Sequence, residues 1–266
     1  MAEQNQENRI VLKIEGLTKR FGGLVAVNEL NINVEQGNIC ALIGPNGSGK
    51  TTVLNLITGI YPINGGKIEF LGEPIQGLPP HSVCWRGIAR TFQNIRILGS
   101  QTVFENALLG KGYGKGGAGI FHTVLNTPRY RKDMAESTDE VNEILEFAGL
   151  TELRRERACN LPYGKQRILE IARALVTKPK LLLLDEPAAG LNSQEIYTLM
   201  ELISKINERG ISILLIEHRM EFIGKLADWV FVLNHGSKIA EGTFDVIKEN
   251  PDVIQAYLGR GGRKLA

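Results

Sequence analysis

Cysteine is scarce in this 266-residue sequence, which contains only Cys40, Cys84 and Cys159. They lack paired spacing, which argues against a disulfide framework and a zinc site and fits a reducing cytoplasm. Long apolar runs are also missing, since the longest, such as residues 181–184, are far too short to cross a bilayer. The polar stretch at residues 1–9 has no apolar signal core, so export is not expected. The chain is therefore not expected to span a membrane by itself.

An excess of charge of either sign is missing too. The formal net charge is +2, which gives no reason to expect a nucleic acid or an acidic membrane as partner. Hydrophobic residues make up 43% and charged residues 23% of the chain, as in ordinary soluble globular proteins. The length suits one large α/β domain, or one domain with a helical insert.

Apolar segments typical of buried strands alternate with segments that have the period of helices. Strands are predicted at residues 11–16, 31–34, 39–43, 67–70, 88–92, 181–185, 211–216 and 229–233. Helices are predicted at residues 137–148, 167–176, 194–207 and 220–227, and from Gly49 to before Gly59. This alternation predicts an α/β fold with a mostly parallel sheet covered on both faces. The predicted core comprises residues 1–94 and 178–266, and a helical subdomain at 95–177 interrupts it.

Part of that insert, residues 110–119, is rich in glycine and also carries two lysines. One interpretation is a flexible, solvated loop. The other is a surface that contacts a partner.

One segment matches the phosphate-binding pattern G-x-x-x-x-G-K-[S/T]. It consists of Gly44, Pro45, Asn46, Gly47, Ser48, Gly49, Lys50 and Thr51. A buried strand precedes it and a helix follows, which is the context that the pattern requires. Its glycines let backbone N–H groups close around phosphate oxygens, and the helix N-terminus adds partial positive charge. Lys50 is expected to reach the β and γ phosphates, and the Thr51 hydroxyl to bind Mg²⁺. The segment predicts a nucleoside triphosphate site.

Two acids end the apolar strand 181–185, at the sheet edge where α/β proteins bind ligands. Asp185 is a candidate to hold Mg²⁺ through water, and Glu186 is a candidate general base for the attacking water. Alone, such a run is equally compatible with a strand end carrying solvated acids; with the glycine loop it predicts hydrolysis. His218 and Gln93 each follow a predicted strand, and in isolation both are more typical of structural residues.

These segments occur in the order and spacing of ABC-type ATPases, which the sequence resembles over nearly its whole length. The motifs are the glycine loop, Thr91-Phe92-Gln93, residues 160–167, residues 181–192 and Ile216-Glu217-His218. The sequence is similar to one branch, the ATPase subunits of branched-chain and hydrophobic amino acid importers. The branch motifs are Arg90-Thr91-Phe92-Gln93, Leu161-Pro162-Tyr163-Gly164, residues 186–192, residues 216–220 and the tail 250–259.

The resemblance implies a P-loop NTPase core with a mostly parallel sheet, an N-terminal antiparallel β portion and the helical subdomain. Beyond the glycine loop it implies further ATP-binding residues, which are Phe21, Val27, Thr52, Gln93 and His218. Phe21 is expected to stack on adenine, with Val27 packed beside it. The stacking tolerates any base, so it recognises ATP only loosely.

The resemblance also implies the catalytic and metal residues. The metal ligands are expected to be Thr51, Gln93 and Asp185. The catalytic residues are expected to be Lys50, Glu186 and His218, with His218 bonded to the γ-phosphate.

In this family two chains sandwich two nucleotides head to tail, and the signature of one chain caps the ATP of the other. The corresponding residues here are Leu161, Pro162, Tyr163, Gly164, Lys165 and Gln166, and Asn192 is expected at the dimer seam. The family pattern is Leu-Ser-Gly-Gly-Gln, so Pro162 removes both the serine hydroxyl and its N–H. Tyr163 replaces a glycine, and Asn192 stands where Asp is more common. One interpretation is an asymmetric dimer in which the ATP capped by this chain turns over slowly; the other is that Pro162 is the first residue of the helix.

The sequence therefore predicts an ATP-hydrolysing, nucleotide-binding subunit of an ABC importer that energises amino acid uptake, with ATP and Mg²⁺ as cofactors. The implied partners are two transmembrane permease subunits, an extracytoplasmic amino acid-binding protein, and a second ATPase. That ATPase is a related chain in a heterodimer or a second copy, and no nucleic acid partner is expected. The implied location is peripheral, at the cytoplasmic face of the cell (inner) membrane.

Three alternatives stay open. The first is an ATPase of the same superfamily that acts in DNA repair or translation without a membrane partner. The second is a binding-only regulatory subunit, which the altered signature allows but which Glu186 and His218 disfavour. The third is a GTPase, for which the sequence lacks the Asn-Lys-x-Asp motif that recognises guanine.

Overall fold

The computed structural model gives the structure of residues 10–111 and 128–258. Its strands are β1 (Ile10–Phe21), β2 (Leu24–Glu35), β3 (Ile39–Ile43), β4 (Gly65–Phe70), β5 (Glu73–Pro74), β6 (Ile88–Arg90), β7 (Leu181–Asp185), β8 (Ser212–Ile216), β9 (Trp229–Asn234) and β10 (Ser237–Gly242). Its α-helices are α1 (Lys50–Ile57), α2 (Pro80–Trp85), α3 (Val103–Leu108), α4 (Pro128–Phe147), α5 (Tyr163–Leu175), α6 (Ser193–Glu208), α7 (Met220–Leu226), α8 (Phe244–Glu249) and α9 (Pro251–Leu258). Short 3-10 turns occupy Leu109–Lys111, Thr151–Leu153 and Ala158–Asn160.

Two sheets organise the fold. The N-terminal sheet is antiparallel, with four strands in the order β2-β1-β4-β5. The second sheet has the order β10-β9-β3-β8-β7-β6, and all its pairings are parallel except that of β9 with β10. This architecture confirms the predicted α/β fold with a mostly parallel sheet, and the antiparallel β portion that the resemblance implied.

The second sheet is buried on both faces, which explains why its central strands are uninterrupted apolar runs. Successive side chains of β3 point to opposite faces. Ile39, Ala41 and Ile43 pack with the helices in one core, whereas Cys40 and Leu42 pack towards the antiparallel sheet in the other. Both cores therefore meet at β3, directly below the loop that follows it.

Several elements were missing from the sequence-based prediction. The helices α2, α8 and α9 have only six to eight residues, too few for a helical period to be recognised. β10 was also missed, since its residues are mostly half-buried and do not alternate between apolar and polar. β1 and β2 extend beyond the predicted segments to 12 residues each, because shifts of register interrupt their alternation.

Two further expectations are not decided by the fold. The domain boundaries after residues 94 and 177 stay a prediction. Most of the glycine-rich segment, residues 112–119, lies outside the described residues.

Within residues 10–111 and 128–258, no helix has both the length and the apolar character that a membrane span requires.

Candidate functional site

The glycine loop and the acids meet at one edge of the parallel sheet. β3, β8, β7 and β6 are successive neighbours and run parallel, so their carboxyl ends share that edge. His218 follows β8, Glu186 follows β7 and Gln93 follows β6. A cavity of about 1080 Å³ opens there. The predicted residues that line it are Phe21, Gly44, Pro45, Asn46, Gly47, Gly49, Lys50, Thr51, Thr52, Gln93, Glu186 and His218.

The path of the glycine loop excludes side chains at two positions. Gly44 has a φ of +147°, and a Cβ there would lie 2.0 Å from the carbonyl oxygen of Leu233. Gly49 has a φ of +106°, and its Cβ would lie 2.6 Å from the carbonyl oxygen of Ala26. Gly49 is also the N-cap of α1 and makes no side-chain cap hydrogen bond. The first amides of α1 are therefore open to an anion such as a phosphate group.

Lys50 is a buried cation within the loop. Its ammonium group donates to the carbonyl oxygens of Gly44 at 2.8 Å and Pro45 at 3.0 Å. Because an ammonium group has three N–H donors, one is left for a bound phosphate. Burial lowers the pKa of Lys50, and the charges of Glu186 and Asp185 oppose that shift. The two carboxylates thus favour the charged form, which neutralises phosphate.

Asp185 lies beneath the cavity in a buried ion pair. Its Oδ2 accepts a hydrogen bond from the Arg90 guanidinium at 2.9 Å, and the two side chains are 3% and 5% exposed. Arg90 also donates to Oδ1 of Asn55 at 2.7 Å. Burial lowers the pKa of Arg90, and the hydrogen bond to Asp185 opposes the shift. Arg90 thus orients the Asp185 carboxylate. The sequence reasoning missed this role, although Arg90 belongs to a branch motif.

The donors at this edge fit a magnesium ion held together with a nucleotide. Thr51 offers a hydroxyl, Gln93 an amide oxygen and Asp185 a carboxylate, which are the hard oxygen ligands that Mg²⁺ prefers. Among the described residues, no group of three His, Cys, Asp or Glu side chains could hold a metal by itself. Mg²⁺ commonly keeps several waters and binds one or two carboxylates plus substrate phosphates. A buried Asp185 beside a phosphate loop suits such a water-mediated contact.

Glu186 holds a strained position next to the loop. Its φ is +48°, a left-handed conformation that is uncommon outside glycine and typical of functional sites. Its N–H donates to the carbonyl oxygen of Ile216 at 2.9 Å, which ties the end of β7 to β8. Gln93 donates from Nε2 to Oε2 of Glu186 at 3.0 Å. The carboxylate proposed to polarise water is thus oriented by the Gln93 amide.

Phe21 presents an aromatic ring at the outer part of the cavity. The residue is 42% exposed and packs edge-on against Tyr61, with 5.3 Å between ring centroids. The Lys19 ammonium lies 4.9 Å from the centroid of the Phe21 ring. An exposed ring held in this way can stack on a base.

Two predicted ATP-binding residues do not line the cavity. Val27 is fully buried, and its methyl group packs towards Gly49. A register shift between β1 and β2 near this point places Val25, rather than Val27, at the cavity. Val27 therefore supports the glycine loop from inside, and its packing beside the adenine stays a prediction. Ser48 is also buried, and its amide donates to the carbonyl oxygen of Pro45 at 3.1 Å.

The signature segment 161–166 lies outside this cavity, at the start of α5. Pro162 is the N-cap, with a φ of −53°, and Tyr163 is the first helical residue. The interpretation that Pro162 begins the helix is thus off by one residue. The Tyr163 ring packs over Gly190, 3.0 Å from where a Cβ would stand. Gly164 is buried against Glu195, whose Oε1 would lie 2.6 Å from a Cβ. Whether this segment caps a partner's ATP stays a prediction.

Asn192 has a local role at the N-terminus of α6. Its Oδ1 accepts from the backbone N–H of Glu195 at 3.0 Å, and Oε2 of Glu195 accepts from the N–H of Asn192 at 3.0 Å. This reciprocal pair is a capping box. The position of Asn192 at a dimer seam stays a prediction.

A buried ion pair fastens α5 to the segment that contains Gln93. Arg167 donates to Oε2 of Glu170 at 2.9 Å and to the carbonyl oxygens of Phe92 and Gln93, each at 2.8 Å. Oε1 of Glu170 accepts longer bonds from the N–H groups of Phe92 at 3.4 Å and Arg96 at 3.3 Å. The signature helix and the Gln93 segment are therefore held together.

Some cavity residues were not identified from the sequence. They are Leu24, Val25, Ala26, His235, Gly236 and Tyr257. Tyr257 comes from α9, and its hydroxyl is buried close to the backbone of Gly44 in the glycine loop. Burial raises the pKa of Tyr257 to about 12. Tyr257 belongs to the tail motif 250–259, but that motif gave no reason to place it at the nucleotide cavity, because only the packing of α9, through buried Val253, brings it to the loop.

A glycine loop between a buried strand and a helix, with acids two strands away on the same sheet edge, defines a P-loop nucleoside triphosphatase. The sequence profile described as "ABC transporter" matches residues 27–189. The chain belongs to the ABC transporter family and is one of its ATP-binding cassettes. A second profile, described as "Branched-chain amino acid ATP-binding cassette transporter", matches residues 237–263.

Individual relatives resemble the chain over almost its whole length. It is 45% identical over 253 residues to the high-affinity branched-chain amino acid transport ATP-binding protein BraF of Pseudomonas aeruginosa, covering 95% of this chain and 99% of BraF. It is 45% identical over 250 residues to the protein of the same description, LivG, of Escherichia coli, covering 94% and 98%. Among solved structures, an ATP-binding cassette of an ABC transporter in its ADP conformation matches with a TM-score of 0.82 and 32% identity, covering 94% and 99%.

Proposed function

We propose that this chain hydrolyses ATP to energise an ABC importer for branched-chain, hydrophobic or neutral amino acids. The observation that carries the proposal is the convergence of Lys50 and Glu186 on one cavity at the sheet edge. The 45% identity to BraF and LivG supports amino acids as the cargo, as does the match of the C-terminal profile.

The residues of the cavity suit in-line attack of water on the γ-phosphate. Lys50 and the open amides of α1 bind and neutralise the phosphates. Glu186, oriented by Gln93, accepts the proton of the attacking water. His218 has a side chain 58% exposed at the cavity, so it can reach the γ-phosphate. Thr51, Gln93 and Asp185 would hold a Mg²⁺ ion, which would neutralise charge on the phosphates when bound.

A groove beside the nucleotide cavity suits a permease. It has a volume of about 610 Å³, and its lining includes Leu109 and Gly110 from the proposed helical subdomain. Trp85 and Leu109 border it and are each 52% exposed, and Arg173 lies beside them. Exposed apolar side chains rimmed by charge are typical of protein contacts. We propose that the groove of each ATPase chain binds one of the two permease subunits, at the cytoplasmic face of the membrane.

The proposed assembly contains two ATPase chains and an extracytoplasmic amino acid-binding protein. The signature segment of this chain has a half-exposed Tyr163 at its tip, 44% accessible, which supports a contact with a second ATPase. We propose a related chain or a second copy in that position.

Reconstitution of the complex tests the function. The chain is co-purified with its permeases, placed in vesicles with the binding protein, and supplied with ATP and radiolabelled leucine, valine or alanine. ATP-dependent accumulation of one of these amino acids is expected, and the Glu186→Gln complex serves as the inactive control. ATP hydrolysis that none of these amino acids stimulates, with no accumulation, contradicts the proposed cargo.

A further inference from the structure

The side chain of Glu217 lies between the two loops that carry the proposed catalytic residues. It follows β8 directly and is completely buried. Its Oε1 accepts from the backbone N–H of Ala188 at 2.8 Å, two residues beyond Glu186. Its Oε2 accepts from the N–H of His218 at 3.0 Å and from that of Arg219 at 3.4 Å. One carboxylate thus connects the loop after β7 with the loop after β8.

Backbone amides, rather than a lysine or arginine, hold this carboxylate. Among the described residues, the basic side-chain nitrogen that approaches it within 4.0 Å is Nδ1 of His218, at that distance. A buried carboxylate is costly unless its oxygens accept hydrogen bonds, and amide donors to a charged group are among the stronger ones. The amides of Ala188 and His218, at 2.8 and 3.0 Å, are therefore held firmly relative to the carboxylate, and through it relative to each other.

We propose that Glu217 is a positioning residue for ATP hydrolysis, which sets the distance between Glu186 and His218. These two residues end neighbouring strands and must both act at the same γ-phosphate, so their loops have to keep a constant relative position. The N–H of Glu186 already bonds to Ile216 on β8. Glu217 extends that link past both proposed catalytic residues. It reaches Ala188, beyond Glu186, on one side and Arg219, beyond His218, on the other. The inference rests on the proposed roles of Glu186 and His218.

Glu217→Gln is the informative change because it keeps the shape of the side chain. An amide has one acceptor oxygen, and its nitrogen cannot accept. In either orientation of the amide, its NH₂ group faces a backbone N–H that the carboxylate had bonded. The loop after β7 or the loop after β8 therefore loses its hydrogen bond to residue 217. We expect kcat of the assembled complex to fall at least about tenfold, a fraction of what acid-base and positioning effects supply. KM for ATP and the affinity for a fluorescent ATP analogue are expected to stay unchanged.

Coupling to His218 separates positioning from a merely structural role. The rate of His218→Ala is measured with and without Glu217→Gln. If Glu217 acts by placing His218, the second change adds little to the first, whereas independent effects multiply. Glu221→Gln is the matched control, because Glu221 is an acid on the adjacent helix α7 with an 83% exposed side chain paired to Lys225. It is expected to match the wild-type rate.

A normal kcat in Glu217→Gln overturns the inference. A fall in kcat that multiplies fully with the fall caused by His218→Ala also overturns it. So does a fall in kcat that is accompanied by weaker binding of the ATP analogue. If the Gln variant unfolds below the assay temperature, Glu217→Asp is judged by the same criteria, since it keeps the charge but is one methylene shorter. Normal hydrolysis by Glu186→Gln contradicts the proposed base instead. If Glu186→Gln and His218→Ala fail to hydrolyse ATP but Glu217→Gln hydrolyses it normally, only the positioning role of Glu217 is refuted.

Discussion

The Arg167–Glu170 pair allows a quantitative test of how α5 is held to the Gln93 segment. Both side chains are essentially unexposed, at 0% and 1%. Arg167→Met keeps most of the apolar stem but removes the ion pair and the hydrogen bonds to the carbonyl oxygens of Phe92 and Gln93. Glu170 is then left as a buried carboxylate with two long amide contacts. Removing one partner of a buried pair costs about 3–5 kcal/mol, because the remaining charge is uncompensated.

A loss of that size is easily measured as a fall in melting temperature. For domains of this size, 1 kcal/mol corresponds to roughly 2–4 °C, so Arg167→Met should melt about 6–20 °C below the wild type. Arg167→Met combined with Glu170→Leu removes both charges. Replacing a buried pair by apolar side chains is often neutral or stabilising, so the double variant should regain part of the loss. Thermal melts followed by circular dichroism, with urea titrations beside them, give both values.

An exposed pair provides the control. Lys225 and Glu221 lie four residues apart on α7 with side chains 51% and 83% exposed, so Lys225→Met should leave the melting temperature unchanged. A single variant Arg167→Met that melts with the wild type refutes the reasoning. A double variant as unstable as the single one also refutes it, because the uncompensated charge of Glu170 is then not the source of the loss.

Further predictions concern the nucleotide site. Lys50→Ala should abolish ATP hydrolysis and weaken binding of a fluorescent ATP analogue, because the phosphates lose a buried cation; hydrolysis near the wild-type rate contradicts the site. Glu186→Gln should bind ATP but hydrolyse it slowly, and an unchanged turnover assigns the base elsewhere. Pro162→Ser with Tyr163→Gly should speed hydrolysis at the partner-held site by roughly ten- to a hundredfold if one charge-assisted donor is missing there. Site-specific turnover in complexes with a Glu→Gln partner measures this, and no change leaves Pro162 as a purely structural N-cap.

Local sequence was sufficient for the glycine loop and the acids. Consecutive backbone amides and one lysine bind a phosphate group. The whole phosphate-binding site therefore lies in residues 44–51 and can be recognised as a sequence pattern. Central strands buried on both faces have to be apolar throughout, which made β3 and β7 recognisable from their composition. For the same reasons, the order of strands and helices predicted the fold class.

Contacts between distant segments were decided by tertiary structure alone. Arg90 meets Asp185 because β6 pairs in parallel with β7, and the register that aligns Arg90 with Leu183 cannot be read from either strand. A register shift between β1 and β2 leaves Val27 buried and places Val25 at the cavity, although both residues have the same side chain. Tyr257 reached the loop only through the docking of α9. Each of these outcomes depends on which surfaces pack together, and a linear pattern does not contain that information.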